Sequence, residues 1–219
     1  MSNVTIIGGH GKVALLLAPL LVERGDNVTS VFRNPDHTAE VAQTGASTTV
    51  ADVEKMTVEE LTDLVRGSDV VVWSAGAGGG SPERTWAVDR DAAIRTIDAA
   101  EQAGVRRFVM VSYVGAGQDH GVPEDHSFYA YAQAKADADD HLRASGLDWT
   151  IIAPGTLTLE EPSGTIDIVA PGAEGAHETS RANVAQAIAA ALDEPATVGR
   201  MIEFADGDTP IAQALASQR

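Results

Sequence analysis

The stretch Val4-Thr5-Ile6-Ile7-Gly8-Gly9-His10-Gly11-Lys12-Val13-Ala14 decides the fold. Four β-branched residues predict a buried strand. The glycine-rich turn that follows opens an Ala/Leu-rich run with helical periodicity from Gly11 to about Glu23, whose expected apolar face is Val13, Leu16, Leu17 and Leu20. A strand that passes through glycines into a helix is the first step of a parallel sheet with crossover helices.

The same alternation continues outward. Strands are expected at 28–32, near 48–50, and at 69–73, 107–111 and 149–152. Between them lie a short helix after Pro35 and helices at 57–65, 82–103 and 128–144, with Gly104 ending the third. Beyond Pro154-Gly155, a strand at 166–169, a helix at 181–192, a strand at 201–204 and a short last helix are predicted. The fold class is therefore α/β, a doubly wound Rossmann-type sheet in one domain over 1–219, with about 155–219 shaping a substrate pocket. Residues 115–127 carry three glycines and a proline without periodicity, and read as a loop over the carboxyl edge of the sheet, a candidate lid.

Composition narrows function. The chain has 219 residues, 32 acidic against 15 Lys and Arg, and a net charge of −17, which repels nucleic-acid phosphates and anionic membranes. Only Lys12, Lys55 and Lys135 are lysines, and no cysteine occurs, so thiolate nucleophiles and Cys-ligated zinc are excluded. No signal-peptide pattern and no apolar run of membrane-spanning length is present, so a cytoplasmic protein is expected, monomer or homodimer, acting on a small molecule.

The turn Gly8-Gly9-His10-Gly11-Lys12-Val13 presents free N–H groups at a helix N-terminus, where a dinucleotide's diphosphate binds. After the second strand an acidic residue would bond an unphosphorylated ribose. The chain instead reads Val31-Phe32-Arg33-Asn34, and a guanidinium there suits a 2′-phosphate, which favours NADP(H) over NAD(H). Asp52 is placed either to touch the adenine edge or as an ordinary surface turn.

Tyr131 and Lys135 stand four apart on one predicted helix. With three tyrosines and three lysines in 219 residues, chance gives this spacing in roughly 4% of such chains. An ammonium beside a phenol stabilises phenolate and lowers its pKa. Ser112, ending the fifth strand, is placed to donate to a substrate carbonyl, and Tyr129 competes with Tyr131 for the acid role but has no lysine four residues on. His120 and His126 lie on the 115–127 loop without ligand spacing, and no metal is expected. Thr179-Ser180-Arg181 reads as a helix cap, and Trp73, Trp86 and Trp149 as core or pocket wall.

Together, Gly8-x-x-Gly11-x-x-Ala14, Ser74-Ala75-Gly76-Ala77-Gly78, Val88-Asp89, Val109-Met110-Val111-Ser112, Tyr131-x-x-x-Lys135 and the run from Ser145 to Pro154-Gly155 resemble the atypical short-chain dehydrogenase/reductases, in the NAD(P)H-binding branch that holds NmrA-like and biliverdin reductase B-like proteins. The resemblance implies an NADPH-dependent oxidoreductase passing hydride to a carbonyl, quinone or flavin-like acceptor. It implies that Ser74, Ala75 and Gly76 lie under the adenosine ribose, that Tyr131 and Lys135 flank the nicotinamide, and that Pro154, Gly155 and Thr156 line its pocket. Ala153 stands where relatives commonly carry arginine. A non-catalytic redox sensor, with the tyrosine and lysine only holding cofactor, and an epimerase or isomerase with tightly bound cofactor are the alternatives.

Overall fold

The computed structural model describes residues 1–78, 81–170 and 177–218. Eight strands form one sheet in the order β3-β2-β1-β4-β5-β6-β10-β8: β1 Asn3–Ile7, β2 Asn27–Phe32, β3 Ser47–Val50, β4 Val70–Trp73, β5 Arg107–Val111, β6 Asp148–Pro154, β8 Thr165–Ile168 and β10 Arg200–Pro210. The first six and β10 run parallel, and β8 alone pairs antiparallel, with β10. The chain moves outward from β1 to β3 and then returns across it to β4. That reversal places the carboxyl ends of β1 and β4 beside a crevice, the usual ligand position in such sheets.

Each face of the sheet carries its own core. On one side α1 (Lys12–Glu23), α7 (Arg181–Asp193) and α8 (Ile211–Ala216) bury Leu17, Ile188 and Leu215. On the other, α5 (Ala93–Ala103) and α6 (Tyr129–Ala144) cover Ile97, Phe108, Met110 and Leu142. Burying each such side chain contributes about 1.5–3 kcal/mol, which holds the sheet rigid beneath the crevice.

Three local expectations change. The buried face of α1 is Val13, Ala14, Leu17, Ala18 and Leu21, and Leu16 is largely exposed. The two small alanines are buried within this face, and α1 packs against α7 and β2. The long helix expected over 82–103 is interrupted: α4 (Pro82–Thr85) leads into a π-helical stretch, Trp86–Ala92, before α5. This stretch carries the buried Asp89, whose carboxylate accepts the Ala77 amide. Finally, β7 (Thr156–Thr158) and β9 (Glu178–Ser180) form a two-stranded parallel sheet that periodicity does not reveal, because each strand is only three residues long. Ser180 caps α7 as expected, accepting the Asn183 amide at 3.2 Å. The 115–127 loop is tied to α6 through Gln118, which donates to Asp137 and Asp140. Among the described residues no helix is long and apolar enough to cross a membrane.

Candidate active site

At the first turn, Gly8 adopts φ +89°, and a Cβ there would lie 2.6 Å from the Ala75 backbone. Any larger residue would push β1 and β4 apart. The amides of Gly8 and Gly9 both donate to Val31 O, at 3.0 and 2.8 Å, and Gly11 N closes the turn on Gly8 O at 2.7 Å. No side chain caps α1 and no acid stands in its first turn, so the amides of Lys12, Val13 and Ala14 have no intrahelical partner and face the crevice with the positive helix end. An anion such as a diphosphate fits this arrangement.

A cavity of about 440 Å³ extends from this turn toward β2 and β3, lined among others by His10, Arg33, Asn34, Asp52 and Ser74 to Gly76. Arg33 is half-exposed, its Nη1 3.4 Å from Glu54. Arg84, which the sequence reading passed over, enters from α4: its Nε lies 3.5 Å from the same Glu54 and its Nη1 donates to Ala77 O. Two guanidiniums thus share one carboxylate at the rim. Asp52 pairs with Lys55 through Oδ2 at 3.0 Å, while its buried Oδ1 has no partner and is free to accept from a ligand. The glycine-rich stretch after β4 extends to Gly79 and Gly80, which lie outside the described residues.

A second cavity of about 710 Å³ shares Gly11, Ser74 to Gly76 and Gly78 with the first and continues to Asp89, Tyr131 and Lys135. Lys135 is buried, and its Nζ donates to Val111 O at 2.7 Å. Asp89 is also buried, its Oδ2 accepting the Ala77 amide at 3.0 Å; burial pushes its carboxyl up against the opposing pull of that bond, Lys135 and Arg84.

The expectation that Lys135 lowers the Tyr131 pKa does not hold. Burial pushes the phenol well above its ordinary value, and Asp89, Tyr113 and Asp139 add to the rise. The ammonium is turned to the strand carbonyl, and Lys135 is not among the groups that move the phenol. Ser112 also differs from expectation. Its hydroxyl donates to Asp139 Oδ2 at 2.5 Å and borders none of these cavities. Val111, one residue earlier, lines the cavity, and the pleat turns its neighbour to the opposite side. Asp139 is fully buried, its carboxyl pushed up by burial and its Oδ1 unpartnered.

Beyond Tyr131 lies a third cavity of about 330 Å³, which includes Pro154, Gly155 and Thr156 in its wall. Tyr131 and Phe128 border both this space and the second cavity. The rings of Tyr113, Phe128 and Tyr131 pack pairwise at 5.3–5.5 Å, so aromatic carbon forms much of the wall. A Cβ on Gly155 would collide with the His177 carbonyl, which keeps this segment pressed on the smaller sheet. Tyr129 turns instead toward His120 and borders none of the three cavities. On the loop, His120 and His126 accept backbone amides through Nδ1 and shape turns.

A family described as NAD(P)H-binding matches residues 8–195. The chain is 36% identical to a Bacillus subtilis protein named uncharacterized sugar epimerase YhfK, over 97% of this chain and 98% of that one. A solved Bacillus halodurans protein, provisionally described as an NAD-dependent epimerase/dehydratase, is 34% identical with a TM-score of 0.90 and covers 98% and 99% of the two chains. The solved oxidoreductase ylbE of Lactococcus lactis is 28% identical with a TM-score of 0.84, covering 98% and 95%. The crevice, its uncapped helix and these likenesses converge: the chain belongs to the NAD(P)H-binding, oxidoreductase- and epimerase-like family of atypical short-chain dehydrogenase/reductases.

Proposed function

We propose that this protein is an NADPH-dependent reductase that delivers hydride to a carbonyl, quinone or flavin-like acceptor in the aromatic third cavity. One observation carries the reading: Tyr131 stands at the junction of the long groove and that cavity, where a reacting nicotinamide and an acceptor would meet. NADPH, when bound, supplies the hydride. The chain's own groups do the rest. Arg33 and Arg84 offer charge-assisted bonds to the 2′-phosphate, and the free amides at the start of α1 hold the diphosphate.

Lys135, fixed by Val111 O, positions the nicotinamide ribose and keeps a cation under the site. Tyr131 would give its phenolic proton to a reduced acceptor and be reprotonated from solvent. Burial raises its pKa, which keeps the phenol protonated but makes it a weaker acid. Ser112 enters indirectly, holding Asp139 behind Lys135 on α6.

The test is NADPH consumption followed by absorbance with aldehyde, quinone and flavin acceptors, beside NADH. Faster turnover with NADPH and at least one acceptor is expected. Sugar-nucleotide interconversion without net NADPH consumption would replace this reading by an epimerase, the activity named for the Bacillus subtilis relative.

A further inference from the structure

We propose that His10, His37 and Glu40 form a binding site for one divalent transition-metal ion of the zinc class. This departs from the expectation of no metal, which rested on the spacing of His120 and His126. His10 belongs to the first turn, His37 to the single 3-10 turn Pro35–His37 that follows β2, and Glu40 to α2 (Thr38–Ala42). His37 and Glu40 stand three residues apart and His10 comes from the first turn, and one donor atom from each lies within 4.8 Å of the other two. Two imidazoles and one carboxylate are a known ligand set for zinc, with the fourth position left to water.

The three side chains are already held against one another. The rings of His10 and His37 stack at 3.6 Å between centroids and 7° between planes, and His10 Nε2 lies 2.8 Å from Glu40 Oε2. The tautomer of His37 follows from its neighbour. Asn34 Oδ1 accepts the Asp36 amide, so its Nδ2 is the end that faces His37 Nε2 at 3.3 Å. That ring nitrogen therefore carries a lone pair, which an ion would take over from the Asn34 amide. On binding, the His10 proton facing Glu40 moves to the other ring nitrogen, and a small tilt of the half-exposed rings brings both lone pairs onto the ion. Both histidines border the adenosine-side cavity, so the ion would sit on its rim, beside Arg33.

An acidic chain attracts cations generally, so the test separates a built site from bulk charge. Untagged protein freed of metal with a chelator is titrated with zinc chloride and, separately, magnesium chloride by calorimetry. One zinc per chain is expected, with an affinity tighter than about 0.1 mM and no comparable magnesium signal. His37→Ala should weaken zinc at least about tenfold and Glu40→Gln by several-fold, while His120→Ala leaves it unchanged. No saturable zinc uptake, equal magnesium uptake, or zinc affinity that survives His37→Ala would each overturn the proposal. Since no nucleotide enters the measurement, its outcome is independent of the reductase reading.

Discussion

The Gly8 end of the groove and its Tyr131 end differ in how their polar groups are held. At the first, backbone amides at the start of α1 and half-exposed groups such as Arg33 await a ligand. At the second, the polar side chains are buried and mostly engaged: Lys135 with Val111 O, Ser112 with Asp139, Asp89 with the Ala77 amide. Amide donors do not titrate and are placed by the turn alone, whereas buried side chains owe their protonation to what surrounds them. One end therefore depends on local backbone shape, and the other on burial.

Substitution of Gly8 by Ala attacks the first end directly. With φ +89° and the Ala75 backbone 2.6 Å from the new Cβ, the turn must shift, costing about 2–5 kcal/mol of stability and abolishing dinucleotide binding. Fluorescence titration within threefold of wild type would show that the turn does not govern this end.

Tyr131→Phe attacks the other. Turnover is expected to fall by about 10²–10⁴ while the NADPH Kd changes less than about twofold. Comparable losses in both would place the tyrosine in cofactor binding instead.

The comparison sharpens with Arg33→Ala, which removes a charged hydrogen-bond donor. NADPH should bind about 10–100-fold more weakly and NADH nearly as before, read as two dissociation constants. Equal weakening of both would mean that Arg33 does not meet the 2′-phosphate.

The smallest effect is expected for Asp139→Asn, which keeps an acceptor for Ser112 but removes a buried charge. A carboxyl raised above its ordinary value of 3.8 stabilises the fold while protonated, and that contribution is lost as pH rises through the folded value. Melting should therefore be higher than wild type at neutral pH, by about 2–4 °C per kcal/mol relieved, with the difference vanishing toward about pH 4. A variant less stable at every pH would make the ionised carboxylate a needed partner of Lys135.

Much of the Gly8 end is legible in the chain because strand, glycines and helix are contiguous, and the rules linking them act over a few residues. Tyr131 and Lys135 are legible for a similar reason, since four residues is one helical turn. Asp89 is legible only as part of the resemblance, and Arg84 is not legible because its partners, Glu54 and Ala77 O, come from other segments. Apolar spacing alone predicts Leu16 inside, while in the structure the small Ala14 and Ala18 are buried and Leu16 is exposed.

From the chain alone follow the alternation of strand and helix, the turn only glycine can make, and a tyrosine one helical turn from a lysine. Which protons are free and which are already shared was settled by packing. Ser112 meets Asp139 across 27 residues and His10 meets Glu40 across 30, and the burial that raises the Tyr131 phenol comes with packing against separate segments. Protonation answers to dielectric and to neighbours in space, and those exist only once the sheet has gathered distant segments together.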